Sequence, residues 1–152
     1  VCSSDLPEKV IPKFVGQMLR NEPVTIYNDG KGARDWLHVE DHARAIACLL
    51  ERGMPGESYN LAAGDERSDE EIAQHIYTTL ILEGKIAKGH MPYKYTPGRP
   101  GHDKRYFMDN RKLCLLGWKP QVPFEEGFRA TVLWNAEHQD WWASDEVKLS
   151  DG

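Results

Sequence analysis

Residues 34–53 read Arg34-Asp35-Trp36-Leu37-His38-Val39-Glu40-Asp41-His42-Ala43-Arg44-Ala45-Ile46-Ala47-Cys48-Leu49-Leu50-Glu51-Arg52-Gly53. The first six suit an extended segment. From Glu40 onward, Ala43, Ile46, Ala47 and Leu50 recur at the spacing that puts them on one face of a helix, and Gly53 stops it. An extended segment running directly into an amphipathic helix is the unit from which α/β folds are built. The same alternation continues on both sides. Upstream, Pro7 suits a first helical position, and Ile11, Phe14, Val15, Met18 and Leu19 predict a helix ending near Asn21. Val24-Thr25-Ile26-Tyr27 is a β-prone run, and Asn28-Asp29-Gly30-Lys31-Gly32 is a turn.

Downstream, Ser58-Tyr59-Asn60-Leu61 predicts another short strand. Ser68-Asp69-Glu70-Glu71 has the pattern of a capping box, opening a helix that carries Ile72, Ile76, Thr79 and Leu80 and fades at Gly84. Tyr93-Lys94-Tyr95 alternates as a strand and leads into the loop Pro97-Gly98-Arg99-Pro100-Gly101-His102-Asp103. Residues 106–108 read as extended, Asp109 caps a short helix closed by Gly117, and 123–138 form a last helix with Phe124, Phe128, Val132 and Leu133 apolar. Three or four short strands make a thin sheet for this many helices. The helices at 40–52 and 123–138 call for a larger sheet to cover them, so the chain is expected to be part of something longer.

The 152 residues include 19 basic and 24 acidic side chains, for a formal net charge of −5. With 40% hydrophobic and 28% charged residues, the composition is that of a globular domain of useful core size. No basic face dominates, which argues against a nucleic-acid partner. No apolar run approaches the ~20 residues of a membrane helix, and Val1-Cys2-Ser3-Ser4-Asp5-Leu6 lacks the basic leader and apolar core of a signal peptide. Of the three cysteines, Cys48 and Cys114 fall in apolar helical runs and are expected to be buried free thiols in a reducing cytosol.

Several patterns bear on chemistry. No GxGxxG or GxxGxxG turn is present to approach a dinucleotide pyrophosphate. Tyr27 and Lys31 have the spacing of a catalytic Tyr-x-x-x-Lys pair, but Asn28, Asp29 and Gly30 between them make a turn, not the helix that pairing requires. His38 and His42 are four apart without a third metal ligand, and Trp141-Trp142 is expected to pack on the body of the domain. The 97–103 loop offers Arg99 and His102 to an anion, followed by Lys104 and Arg105; a salt-bridged surface loop is the alternative. Arg34 sits just after a glycine turn. Two arginines meeting in one pocket would suit a diphosphate, each bonding two oxygens, and Tyr27 is either a flat face for a nucleobase or a half-buried strand tyrosine.

At these residues the sequence resembles the dTDP-glucose 4,6-dehydratases. The resemblance rests on Pro7-Glu8-Lys9-Val10-Ile11-Pro12, Ile26-Tyr27-Asn28-Asp29-Gly30, Arg34-Asp35-Trp36-Leu37-His38-Val39-Glu40-Asp41-His42, Tyr59-Asn60-Leu61, Arg99-Pro100-Gly101-His102-Asp103-Lys104-Arg105-Tyr106 and Leu116-Gly117-Trp118-Lys119-Pro120, in that order. It implies an α/β fold: the C-terminal nucleotide-sugar-binding part of an extended short-chain dehydrogenase/reductase, without the N-terminal Rossmann half that binds NAD. The region would run over 7–142, with an unmatched leader at 1–6 and a polar tail at 143–152.

The resemblance also implies a dTDP-sugar as ligand. Lys9 and Val10 would line the nucleotide site, Tyr27 would pack beside the base, Arg34 and Asn60 would hold the diphosphate, and Arg99 with His102 would meet the phosphate and ribose. The family reaction dehydrates dTDP-glucose to a 4-keto-6-deoxy sugar, as in rhamnose synthesis, with NAD as cofactor. No catalytic, NAD-binding or metal-binding residue is assigned within these 152 positions, so the chain alone is expected to be inactive. The whole protein would be cytoplasmic and homodimeric. A nucleotide-sugar epimerase or decarboxylase, or a non-catalytic nucleotide-binding module, remain the alternatives.

Overall fold

The computed structural model describes residues 9–27, 29–97, 105 and 108–140. The leader at 1–6, Arg99 and His102, Trp141-Trp142 and the tail at 143–152 lie outside the described residues. The elements are α1 (Val10–Leu19), β1 (Val24–Tyr27), β2 (Ala33–Asp35), α2 (Val39–Arg52), β3 (Glu66–Ser68), α3 (Asp69–Leu82), β4 (Tyr93–Thr96), α4 (Arg111–Cys114) and α5 (Phe124–Glu137). The fold is α/β, as expected, but among the described residues the strands form two separate two-stranded sheets. β1 runs parallel to β4, with Tyr27 opposite Thr96. β2 runs antiparallel to β3, with Arg34 opposite Arg67. An isolated parallel bridge joins Ala33 to Arg105.

α1 begins three residues later than Pro7 suggests, because Lys9 is an extended N-cap at ψ 157°. Pro12 is tolerated in the first turn, where its missing N–H would have no helical partner anyway. The helix ends at Leu19 with Arg20 as its C-cap, and Asn21 follows with a left-handed φ of 54°, which fits one of the few side chains that adopt it readily. α1 and α3 pack against β1, and α5 against α1 and α3, around Phe14, Val15, Ile26, Ile72, Ile76 and Val132. Each such buried aliphatic side chain stabilises the fold by about 1.5–3 kcal/mol. A second cluster joins Ala45 of α2 to Leu113 and Trp118.

α2 turns Asp41 and Ala45 inward, whereas Ala43, Ile46, Ala47 and Leu50 face outward. Leu50 is 85% exposed and Ile46 49%. The apolar face read from the sequence is therefore the uncovered one. Three further expectations are corrected. Residues 58–61 join no strand ladder, since no described strand lies alongside them. The short helix has Asn110 as its N-cap, although the Asp109 carboxylate does accept the Arg111 N–H at 2.9 Å. Cys114 is exposed and Cys48 half-buried, because the single turn of α4 buries only Leu113.

The capping box on α3 forms as predicted. Ser68 Oγ accepts the Glu71 N–H at 3.2 Å, and Glu71 Oε2 accepts the Ser68 N–H at 2.7 Å. These bonds to Ser68, backbone first, hold the Glu71 carboxyl below its ordinary value of 4.5. A depressed carboxylate adds stability above its unfolded-state pKa, and that stability is lost as pH falls through the depressed value. Ser68→Ala is expected to cost about 1 kcal/mol at neutral pH. In urea titrations the gap between the two proteins should narrow as pH falls through the depressed Glu71 value, because protonation weakens the bond from Ser68 Oγ to Glu71 Oε2 that only the parent makes.

Candidate nucleotide-binding site

The end of β1 and the start of α1 form one side of the site. Lys9 caps α1, and Val10 packs partly against the main core. Lys13 lies one turn further along, and its Nζ sits 5.1 Å from the centroid of the Tyr27 ring. Tyr27 is 39% exposed. The Gly30 N–H bonds Tyr27 O at 3.1 Å and the Lys31 N–H bonds Asp29 Oδ1 at 3.2 Å, which confirms a turn between Tyr27 and Lys31. Gly30 has φ +73°, and an added Cβ would meet Ile26 and Glu70 at 3.3 Å. Its carbonyl accepts the Glu70 N–H, fastening the turn to the start of α3.

Arg34 lies on β2, with its Nη1 donating to Ala33 O at 2.8 Å. Its cross-strand neighbour Arg67 is committed elsewhere. Asp65 accepts from Arg67 Nε and Nη2 at 2.9 and 3.2 Å, and this pair raises the Arg67 pKa. The Arg67 guanidinium lies 3.9 Å over the Phe124 ring. The residues after Arg34 build the frame around it. The two Asp35 oxygens accept the Ala63 and Gly64 N–H groups at 2.6 and 2.7 Å, and Trp36 Nε1 donates to Arg67 O at 3.2 Å. The Asp41 carboxylate, 1% exposed, accepts the N–H groups of Gln121 and Val122 at 2.9 and 3.0 Å. His38 is the N-cap of α2, where its Nδ1 accepts the Glu40 N–H at 3.3 Å. Its ring abuts Gly127, where a Cβ would come within 2.7 Å. No group of three potential metal ligands occurs among the described residues.

Asn60 is exposed on the unladdered segment 58–61. That segment is held from the side by Lys112, whose Nζ donates to Ser58 O at 2.8 Å, and by Asn110, whose Nδ2 donates to Ala62 O at 2.7 Å. Neither bond has a local signal in the sequence, since they span 54 and 48 residues. Lys13 does have one, in its position one turn after Lys9 on the same helix.

Arg99 and His102 themselves are not described, but both flanks of their loop are placed. Thr96 stands beside Tyr27, and Arg105 stands beside Ala33 while its Nε donates to Glu66 Oε2 at 2.8 Å. A hollow of about 180 Å³ lies behind this frame, lined by Ile11, Trp36, His38, Asp65, Phe124 and Phe128 among others. None of the described strand–helix junctions offers a glycine-lined cradle for a dinucleotide pyrophosphate. The starts of α2 and α3 are already filled by His38 and Ser68.

The family model described as GDP-mannose 4,6 dehydratase matches residues 2–131. A dTDP-glucose 4,6-dehydratase of Xanthomonas campestris pv. campestris (strain B100) is 41% identical over 141 residues, covering 89% of this chain and 40% of that protein. A crystal structure of dTDP-glucose 4,6-dehydratase from Bacillus anthracis str. Ames, in complex with NAD, is similar with a TM-score of 0.80 at 35% identity, over 91% of this chain and 42% of that one. A UDP-glucose 4-epimerase structure from Thermotoga maritima, with UDP-glucose, is similar with a TM-score of 0.71 at 30% identity, over 86% and 40% of the two chains. The chain spans about 40% of the length of the curated relatives it matches.

Proposed function

Because the chain belongs to the GDP-mannose 4,6 dehydratase family, we propose that it is the nucleotide-sugar-binding part of a dTDP-glucose 4,6-dehydratase. The observation that supports this reading is that Thr96 stands beside Tyr27 and Arg105 beside Ala33, next to Arg34. From those anchors Arg99, three residues past Thr96, and His102, three before Arg105, are within chain reach of the site. In this reading Tyr27 takes one face of the thymine, with Lys9 and Val10 lining the base end. Arg34 and Asn60 hold the diphosphate, and Arg99 and His102 complete the phosphate and ribose contacts. Two forked guanidiniums suit two adjacent phosphates better than ammonium groups do.

The whole protein would then dehydrate dTDP-glucose to a 4-keto-6-deoxy sugar, with NAD, when bound by the rest of the protein, supplying the hydride chemistry. The described residues do not fit NAD, since they provide no pyrophosphate cradle, so cofactor binding and the proton-handling residues are assigned to the remaining length of the family's proteins. The outward apolar face of α2, with Ile46 and Leu50, supports this assignment, as a buried interface with a larger sheet would cover it. Homodimerisation and a cytoplasmic location belong to the same proposal. No helix among the described residues is long and apolar enough to cross a membrane.

The test is ligand-induced stabilisation. Saturating dTDP, near a hundred times its Kd, is expected to stabilise the chain by about 2.7 kcal/mol and to raise its melting temperature by roughly 5–10 °C. UDP should do less, and NAD alone nothing. UDP binding tighter than dTDP would instead favour a nucleotide-sugar epimerase, the activity of the Thermotoga maritima relative. No response to either nucleotide would remove the nucleotide-sugar reading altogether.

A further inference from the structure

We propose that Lys112 and Asn110 are positioning residues for Asn60, setting it at a fixed distance from the Arg34 strand. The proposal rests on the reading of Asn60 as a diphosphate ligand. Residues 58–61 have no ladder to fix them, yet a side chain that must meet a phosphate oxygen needs its backbone held to within a fraction of an ångström. Lys112 supplies three contacts to this stretch. Its Nζ meets Glu57 Oε2 at 2.6 Å and Ser58 O at 2.8 Å, and it lies 4.5 Å from the centroid of the Tyr59 ring. The ammonium holds the Glu57 carboxyl below its ordinary pKa. Asn110 grips the other side of Asn60 through Ala62 O, while Tyr59 OH accepts the Met54 N–H at 3.0 Å. Asn60 is thus bracketed at Ser58, Tyr59 and Ala62.

The bracket is tied to the rest of the site through one chain segment. A few residues before Asn110, Arg105 bridges Ala33 beside Arg34 and pairs with Glu66. Arg105 thus contacts both β2 and β3, while Asn110 and Lys112, five and seven positions further along the chain, hold the Asn60 segment. Lys112 and Glu57 are each about half exposed, and exposed ion pairs of this kind add little to global stability. Loss of Lys112 should therefore appear in ligand affinity and scarcely in melting temperature, which separates positioning from a merely structural part.

A double-mutant cycle on dTDP affinity tests this, using wild type, Asn60→Ala, Lys112→Met and the double variant, with Lys112→Gln as a second removal and Lys112→Arg as the conservative rescue. Lys112→Met and Lys112→Gln are expected to weaken dTDP binding by roughly 3- to 10-fold with little change in melting temperature. Lys112→Arg should retain most of the affinity, and the double variant should bind no more weakly than Asn60→Ala alone, because coupled residues lose the same interaction only once. Additive losses, unchanged affinity in the Lys112 variants, or a loss that merely tracks a lower melting temperature would overturn the positioning proposal while leaving Asn60 in place. Unchanged affinity in Asn60→Ala, with wild type still binding, overturns the role of Asn60 and this proposal with it. No dTDP binding by wild type overturns the underlying nucleotide reading.

Discussion

Asp41→Ala is expected to destabilise the chain by about 3–5 kcal/mol, measured by chemical denaturation. Its carboxylate is buried and accepts two backbone N–H groups, from Gln121 and Val122, while Arg44 Nη1 approaches at 3.4 Å. Alanine leaves both N–H groups without a partner at a part-buried site, at about 1–3 kcal/mol each. It also removes an acid from the first turn of α2, where it interacts favourably with the helix dipole. Asp41→Asn keeps one acceptor but turns an NH2 toward the other N–H, so an intermediate loss is expected. Domains of this kind are stable by only about 5–15 kcal/mol in total, so alanine should remove a large share. A loss below about 1 kcal/mol would mean that the 118–122 segment is held by Trp118 packing rather than by Asp41.

Arg34→Ala should lower dTDP affinity by roughly 30- to 100-fold, the loss expected when a charge-assisted pair of hydrogen bonds is removed. Arg34→Lys should recover only part of it, because an ammonium keeps the charge but not the planar fork. Both variants should melt close to wild type, since Arg34 is a part-buried strand residue and Ala33–Asp35 keep their backbone pairing with β3. Calorimetric titration at two salt concentrations checks the assignment: the alanine variant should lose part of the salt dependence along with the affinity. Equal affinity in wild type and Arg34→Ala would take the diphosphate away from β2.

The helices were legible in the sequence where their signals are local. Ser68 and Glu71 announce α3 by themselves, and the apolar spacing from Ala43 to Leu50 announces α2. Glu66-Arg67-Ser68 was not read as a strand, because three polar residues carry no alternation; it becomes β3 only by pairing with β2, more than thirty residues away. The opposite happened at Ser58-Tyr59-Asn60-Leu61, where strand-like residues find no neighbour to pair with. In the Arg34–His42 motif, the sequence marked the arginine as the residue of interest but did not show what Asp35 and Asp41 do. Both are latches on distant loops, at 63–64 and 121–122.

By itself the sequence determined the α/β alternation, the capping box of α3, the turn at Gly30 and the residue types able to meet a diphosphate. Propensity, periodicity and side-chain chemistry act over a few neighbouring positions, so these features need no knowledge of the rest of the chain. Only the tertiary structure decided that Thr96 and Arg105 bring the flanks of one loop to Tyr27 and Ala33, that Lys112 and Asn110 hold the Asn60 segment, and which face of α2 stays outside. Those outcomes depend on hydrogen bonds and packing between residues tens of positions apart, which form only after the chain has closed on itself.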